Sequence, residues 1–123
     1  IDERPVKAER ERLQISTEIT LPEDLSLAQA SSHLPHLAED LWRQIERKNV
    51  EAKGVTLKLK THDFRIITRS LTYSSVLPDS ASLLQAAHTL LQRIPPQRED
   101  AFRLIGIGVS HLLPKNQQQT LWL

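Results

Sequence analysis

The apolar residues of the chain recur with two periods, and the switch between them separates predicted strands from predicted helices. From Gly54 the period is two, with Val55, Leu57 and Leu59 on one side and Thr56, Lys58 and Lys60 on the other. Such alternation is typical of a strand with one buried face. A similar alternation over residues 13–21 predicts an earlier strand that ends at Pro22.

Two other segments show helical spacing. The first opens at Ser26, where Gln29 completes a capping box, and continues through the apolar residues Leu34, Leu37, Leu41 and Ile45. Pro35 is expected to kink or restart this helix, because proline lacks the amide that a helix interior needs. The second helix opens at Asp79 or Ser80, ends at Pro95-Pro96, and carries the apolar stripe Leu83, Leu84, Ala87, Leu90, Leu91 and Ile94.

Two further strands complete the predicted order of elements. His62 and Asp63 suit a turn into a strand over residues 64–77, which Pro78 ends, and the last strand covers residues 102–113. The order is then β-α-β-β-α-β. It predicts an α+β fold in which a four-stranded, mainly antiparallel sheet carries two helices on one face.

The other face of this sheet is expected to stay open. Alternation places on it Thr56, Lys58 and Lys60 together with the small residues Gly106, Gly108 and Ser110. Small residues let another backbone approach the strand, and lysines supply positive charge, so the face suits a phosphate backbone. The alternative interpretations are a bulge or twist point at the two glycines and an ordinary solvated strand face at the lysines.

Composition narrows the class of protein. The 123 residues fit one domain, and the lack of cysteine excludes disulfides and fits a cytoplasmic protein. No apolar run is long enough to span a bilayer, so we expect a soluble chain without a membrane partner. The net charge is only +1, but residues 53–70 hold five Lys and Arg against the single acid Asp63, a local charge of +4. This asymmetry favours a polyanionic partner.

The last residues form an apolar tail. The polar residues 115–120 separate the final strand from Leu121, Trp122 and Leu123, and Gln118 precedes them at the spacing Gln-x-x-Leu-x-Leu. This spacing is similar to that of the peptides by which bacterial replication proteins bind the sliding clamp. The alternative is a tail that folds back and buries Trp122 in its own domain.

Three segments together resemble one family. They are Thr56-Leu57-Lys58-Leu59-Lys60 with Asp63-Phe64 and Thr68-Arg69-Ser70, then residues 103–110, and the opening Ile1-Asp2-Glu3-Arg4. In order and spacing they are similar to the little finger domain of the DNA polymerase IV family. The members of this family are Y-family translesion polymerases. The resemblance implies a linker from the thumb domain at residues 1–12, a little finger domain at 13–114, and a clamp-binding tail at 115–123.

The resemblance also implies partners and site residues. A little finger domain lies across the major groove of primer-template duplex DNA and contacts phosphates, which position the duplex without specifying sequence. The implied DNA-binding residues are Lys58, Lys60, Thr68, Arg69, Ser70 and Arg103, with Gln14, Ser16 and Thr17 as weaker backbone contacts. The residues implied to bind the β subunit of the bacterial sliding clamp are Gln118, Leu121, Trp122 and Leu123. Ser16 replaces a frequent glycine and Gly108 replaces a basic residue of some relatives, so we expect weaker DNA binding here.

The chain itself is expected to be non-catalytic. Polymerase catalysis requires clustered carboxylates around two divalent metal ions. The acidic pairs at residues 23–24, 39–40 and 99–100 suit caps and helix surfaces instead, and the five His residues lack metal-ligand spacing. The resemblance implies that the parent is a DNA-directed DNA polymerase whose magnesium ions belong to a palm domain outside this chain, with no cofactor, catalytic residue or metal ligand here.

Two other functions remain open from the residues alone. RNA-binding sheet modules share the same order of strands and helices, although Phe64, Tyr73 and Phe102 do not form their paired stacking motif. An adaptor that binds only a protein at its tail is the second alternative. Measuring affinity for duplex DNA against salt concentration separates these functions, because an adaptor should bind DNA little at any salt concentration.

Overall fold

The computed structural model describes residues 14–94 and 101–115. In chain order the elements are β1 (Ile15–Leu25), α1 (Leu27–Ser31), α2 (Leu34–Arg47), β2 (Val50–Thr61), β3 (Ile66–Thr72), α3 (Ser80–Gln92) and β4 (Phe102–Pro114). The strands form one sheet in the order β1-β4-β2-β3, and every neighbouring pair is antiparallel. The predicted α+β fold is thereby confirmed, with β4 inserted between β1 and β2.

The two long helices cover one face of this sheet. The apolar residues of the central strands that face them are Val55, Leu57, Leu59, Ile105, Ile107 and Val109, and all are buried. The helices supply Leu34, Leu37, Leu41 and Ile45 from α2 and Leu83, Ala86, Ala87 and Leu90 from α3. Burial of each large aliphatic side chain contributes about 1.5–3 kcal/mol, so this layer determines which face of the sheet the helices leave open.

The helix starts follow the local sequence closely. The Ser26 hydroxyl accepts a hydrogen bond from the Gln29 amide at 3.2 Å, and the Gln29 side chain accepts one from the Ser26 amide at 3.0 Å. This is the predicted capping box. Pro35 restarts the helix rather than bending it, since α1 ends at Ser31 and the proline lies in the first turn of α2.

Several strand boundaries differ from the predicted ones. Pro22 does not end β1, which continues to Leu25 through an irregularity in its pairing with β4. An edge strand tolerates proline because one side of its backbone needs no partner. β2 begins at Val50, earlier than Gly54, and β3 is shorter than predicted because pairing with β2 stops at Thr72.

The chain ends and the segment after α3 lie outside the described residues. These include the predicted linker, Pro95-Pro96 and all the residues of the tail beyond Lys115. Within the described ranges, no helix is long and apolar enough to cross a membrane.

Candidate nucleic-acid interface

Three rows of residues cross the sheet on the side away from the helices, and we call these twelve residues the open face. Strand pairing defines the rows as Ser16, Gly108, Thr56 and Ser70, then Glu18, Gly106, Lys58 and Thr68, then Thr20, Leu104, Lys60 and Ile66. All twelve follow from the period of two, because residues paired across strands share a face. The predicted grouping of Thr56, Lys58 and Lys60 with the two glycines is confirmed, and the predicted Ser110, paired with Gly54, continues the same register and lines the groove on this face.

The two glycines of the open face have a structural cause. A Cβ placed on Gly106 would lie 2.6 Å from the Cβ of Glu18, and one on Gly108 would lie 3.1 Å from the Cβ of Ser16. Strands β1 and β4 therefore approach too closely for a side chain at Gly106 without a shift. Because Gly106 and Gly108 have no side chains, they leave a low track along β4, between β1 and β2.

An ion pair spans this track. Lys58 Nζ lies 3.4 Å from Glu18 Oε1, across the position of Gly106, and both side chains remain partly exposed. An exposed pair of this kind adds little to stability. Its electrostatic effect is larger, because the carboxylate offsets one of the two lysine charges of the open face.

A shallow groove of about 260 Å³ follows the same track. Its lining includes Gln14, Ser16, Thr56, Lys58 and Thr68. Across β2 and β3 the hydroxyl oxygens of Thr56 and Ser70 are 2.8 Å apart, so one donates a hydrogen bond to the other. The groove thus offers hydroxyl, amide and ammonium groups, which are the groups that bind phosphate oxygens.

A cationic and aromatic cluster lies beyond the third row, at the turn between β2 and β3. The Lys60 ammonium lies 5.9 Å from the centre of the Phe64 ring, and the Arg103 guanidinium lies 5.3 Å from it. Phe64 is 65% exposed. Two cations thus converge on one exposed aromatic ring at the border of the open face.

The turn that presents Phe64 is held by its own hydrogen bonds. The Thr61 hydroxyl donates to the Asp63 carboxylate, and the Phe64 amide donates to the Thr61 carbonyl at 2.9 Å. The hydrogen bond from Thr61, aided by the charge of Arg65, holds the pKa of Asp63 below its ordinary value. Phe64 has a φ of 68°, in the left-handed region that residues other than glycine rarely adopt.

The predicted DNA-binding residues do not all share one face. Lys58, Lys60, Thr68, Ser70 and Ser16 lie on the open face. Gln14 lines the groove, and Arg103 lies next to Lys60 through their shared contact with the aromatic ring.

Arg69 and Thr17 occupy strand positions that alternate with those of the open face, so they belong to the side of the sheet that the helices cover. Arg69 is paired with the buried Leu57, and its guanidinium donates to the Thr68 carbonyl at 2.8 Å. The Thr17 hydroxyl donates to the Asp40 carboxylate of α2 at 3.0 Å. Only the backbone of Thr17 remains for a partner on the open face.

Sequence reasoning missed two residues of this surface. Glu18 has the same parity as Ser16 in β1, so the alternation already placed it on the open face. Phe64 gave no such signal, because its orientation depends on a left-handed backbone conformation inside a turn. The predicted clamp-binding residues Gln118, Leu121, Trp122 and Leu123 lie outside the described residues.

Residues 12–121 match the impB/mucB/samB family C-terminal domain. A DNA polymerase IV of Neisseria meningitidis serogroup C is 84% identical over 98% of this chain, which spans only 34% of that protein. The chain thus covers about a third of the length of such curated relatives.

Solved structures share the fold at lower identity. The Dbh DNA polymerase in an insertion ternary complex has a TM-score of 0.71 at 14% identity, covering 82% of this chain and 29% of its own. A little finger domain of polymerase IV, solved in complex with the β-clamp processivity factor, has a TM-score of 0.60 at 23% identity, covering 82% of this chain and 90% of its own. Because the family match contains all the described elements, the chain belongs to the impB/mucB/samB family of C-terminal domains.

Proposed function

We propose that the open face binds the sugar-phosphate backbone of primer-template duplex DNA, within a parent DNA polymerase that copies past lesions in the cytoplasm. The observation that carries this proposal is the sheet face itself. Among the described residues no helix covers it, it is low along β4, and it is positive at Lys58 and Lys60. A flat surface with these properties suits a duplex backbone better than a small ligand.

The chemistry of the open face favours positioning over sequence reading. Its donors are ammonium and hydroxyl groups from Lys58, Lys60, Thr56, Thr68 and Ser70. Phosphate contacts fix the register of a duplex and carry no sequence information. We therefore expect affinity that is nearly independent of base sequence and that falls steeply with salt.

Within this proposal, Arg69 binds DNA at the edge of the sheet. β3 is an edge strand, so part of its backbone lies outside the pairing with β2. A phosphate at that edge would meet backbone amides and could replace the Thr68 carbonyl as the partner of the Arg69 guanidinium. In this role Arg69 contacts the border of the duplex, and Lys58 contacts its centre.

The structure weighs against an RNA-binding sheet module. Such modules stack bases on aromatic side chains in the middle of the sheet. None of the three rows of the open face contains an aromatic residue, and the centre holds Gly106 and Gly108 instead. Backbone binding therefore explains the open face better than base stacking across it.

The test of DNA binding replaces the two lysines of the open face together. Lys58→Ala with Lys60→Ala should weaken binding to blunt duplex DNA of any sequence and reduce the magnitude of the salt slope by about two units. The measurement is fluorescence anisotropy with labelled duplex over a series of salt concentrations.

The matched control removes the same charge from the helix layer. Arg47→Ala with Lys48→Ala changes two exposed cations at the end of α2. This control should retain the salt slope of the unchanged chain. Equal losses in the two double variants would mean that net charge, and not the open face, sets the affinity, and would contradict the proposal.

We further propose that the tail binds the bacterial sliding clamp through Gln118, Leu121, Trp122 and Leu123. The support is the Gln-x-x-Leu-x-Leu spacing and the fold shared with a polymerase IV domain solved with the β-clamp processivity factor. Apolar anchors would supply most of the affinity, since buried large side chains dominate such interfaces.

Truncating the apolar anchors tests the clamp proposal. Leu121→Ala with Leu123→Ala should abolish co-migration with the bacterial clamp on size exclusion. The same variant should bind duplex DNA as the unchanged chain does, because the open face is a separate surface. Retained clamp binding would remove the tail as the docking element, and a parallel loss of DNA affinity would contradict two separate sites.

Catalysis is assigned to the parent polymerase and not to this chain. In this proposal the reaction uses magnesium ions held by a palm domain of the parent polymerase. The role proposed for this chain is to hold the duplex and to connect the polymerase to its clamp.

A further inference from the structure

Phe64 adds to the cations Lys60 and Arg103 an exposed aromatic ring, which phosphate binding by the open face does not use. We call these three residues the Phe64 site. They come from the β2–β3 turn, from β2 and from β4. Lys60 and Phe64 are near in the chain, and strand pairing brings Arg103 to them from a distant part of it. The Phe64 ring is 65% exposed and is therefore accessible to a partner.

The backbone holds this ring in place at an energetic cost. A left-handed conformation at a non-glycine residue is unfavourable, and such conformations concentrate at functional sites. Here the φ of 68° is maintained by the hydrogen bond from the Phe64 amide to the Thr61 carbonyl and by the bond between Thr61 and Asp63. The ring is therefore presented by an ordered turn.

The Phe64 site continues the open face at one end. Lys60 belongs both to the third row and to the cluster, and its other neighbour in that row, Ile66, is 56% exposed. Beyond this row the surface changes from hydroxyl groups and glycine to apolar groups flanked by cations. The ligand chemistry at the Phe64 site must therefore differ from that of a bare phosphate.

We propose that Phe64 stacks on an unpaired base of the DNA, while Lys60 and Arg103 bind the phosphates beside it. This inference rests on the proposed binding of duplex DNA to the open face. An exposed aromatic ring next to cations is the combination that binds single strands, because every base has a π face and every nucleotide brings a phosphate. A purely apolar protein partner would cover the ring but offer no acceptor to the Lys60 ammonium beside it.

The unpaired base belongs to a single-stranded extension of the duplex. A base inside the duplex is already stacked and its edges face the grooves, so Phe64 cannot reach a base plane there without unpairing it. Where the duplex ends, a base plane is free, and the Phe64 site lies where the open face ends.

The test compares three DNA probes with the full 123-residue chain. The probes are a blunt duplex, the same duplex with a short 5′ extension of bases, and the same duplex with an abasic extension of equal length. The two extended probes carry equal charge and differ only in stacking surface. The unchanged chain should prefer the extension with bases over the abasic one by about 5-fold or more.

Phe64→Gly removes the ring and leaves a residue that adopts a positive φ without strain. This variant should bind the two extended probes equally, and its affinity for blunt duplex and its salt slope should not change. Phe64→Trp should restore the preference for bases, because it retains a stacking surface. Tyr73→Ala is the matched control, since it removes an exposed aromatic residue from the far end of β3 and should leave the preference intact.

Two results would overturn the inference: equal binding of both extensions by the unchanged chain, or a retained preference for bases in Phe64→Gly. Failure of the proposed function looks different, because the blunt duplex would then bind weakly and without a salt slope in every variant. The two proposals are therefore tested separately by the same measurements.

Discussion

Among single residues of the sheet, Gly106 has no room for a side chain unless the backbone shifts. Its Cα lies so close to β1 that an added Cβ would be 3.0 Å from the Thr17 carbonyl oxygen as well as overlapping Glu18. Backbone cannot move aside as a flexible side chain can. The residue is therefore small because its neighbour strand is close, and the low track of the open face is a consequence of that packing.

This geometry predicts a stability difference between the two glycines of β4. Gly106→Ala should lower the free energy of unfolding by about 2 kcal/mol, the usual cost of forcing extra atoms into a packed site. Urea denaturation with a fluorescence readout measures it. Gly108→Ala is the comparison, and it should cost less because its closest contact is 3.1 Å rather than 2.6 Å. Equal and negligible effects would show that β1 shifts freely.

At the scale of elements, the start of α3 is determined by one carboxylate. Asp79 has an extended backbone and its side chain accepts a hydrogen bond from the Ser82 amide at 2.9 Å. This bond stabilises the charged form and lowers the pKa of Asp79 below its ordinary value of 3.8. α3 carries Leu83, Ala87 and Leu90 into the core, so its start affects the whole helical layer.

The lowered pKa gives the sign of a pH effect. A group whose pKa falls on folding contributes stability that is present above its unfolded value, near 3.8, and is lost as the pH falls through the folded value. Asp79→Ala should lower the melting temperature by about 5 °C at neutral pH, and this difference should shrink below pH 4.

Asp79→Asn separates the cap from its charge. Asparagine also caps helices but does not titrate in this range, so the variant should keep most of the melting temperature at neutral pH. Its melting temperature should also fall less on acidification than that of the unchanged chain. Identical acid profiles for all three proteins would rule out a contribution of Asp79 to acid sensitivity.

At the scale of the whole molecule, the balance of charge on the open face decides how well it attracts a polyanion. The net charge of +1 is small, and Glu18 lies directly opposite Lys58. A phosphate that approaches Lys58 must therefore displace or tolerate this carboxylate. Within our proposal, Glu18 lowers the affinity for DNA.

Removing the negative charge of Glu18 should strengthen the binding of duplex DNA. Glu18→Gln keeps the shape of the side chain and should raise the affinity for duplex DNA about 5-fold at low salt, as expected for one exposed charge at contact distance. The gain should decrease at high salt because ions screen it. Glu39→Gln, an equal change of charge on the exposed side of α2, is the control and should change affinity much less. An equal gain in both variants would assign the effect to net charge.

Some features of the elements were predicted correctly from the sequence and others were not. The capping box at Ser26 and the turn at Asp63 were predicted, and an interruption at Pro35 was predicted as either a kink or a restart, because each depends on interactions within a few residues. The ends of β1 and β3 were predicted wrongly, because a strand ends where its partner ends. Neither Pro22 nor the apolar composition of the segment after β3 carries that information.

The alternation of polar and apolar residues by itself determined which residues share a sheet face, since one face had to be buried under two amphipathic helices. That is why the grouping of Lys58, Lys60 and the two glycines could be predicted from the sequence. Strand pairing and packing set the contact of Glu18 with Lys58 and the meeting of Arg103 with Phe64. These contacts join residues distant in the chain, and their distances depend on strand order, twist and the left-handed turn, which no local pattern encodes.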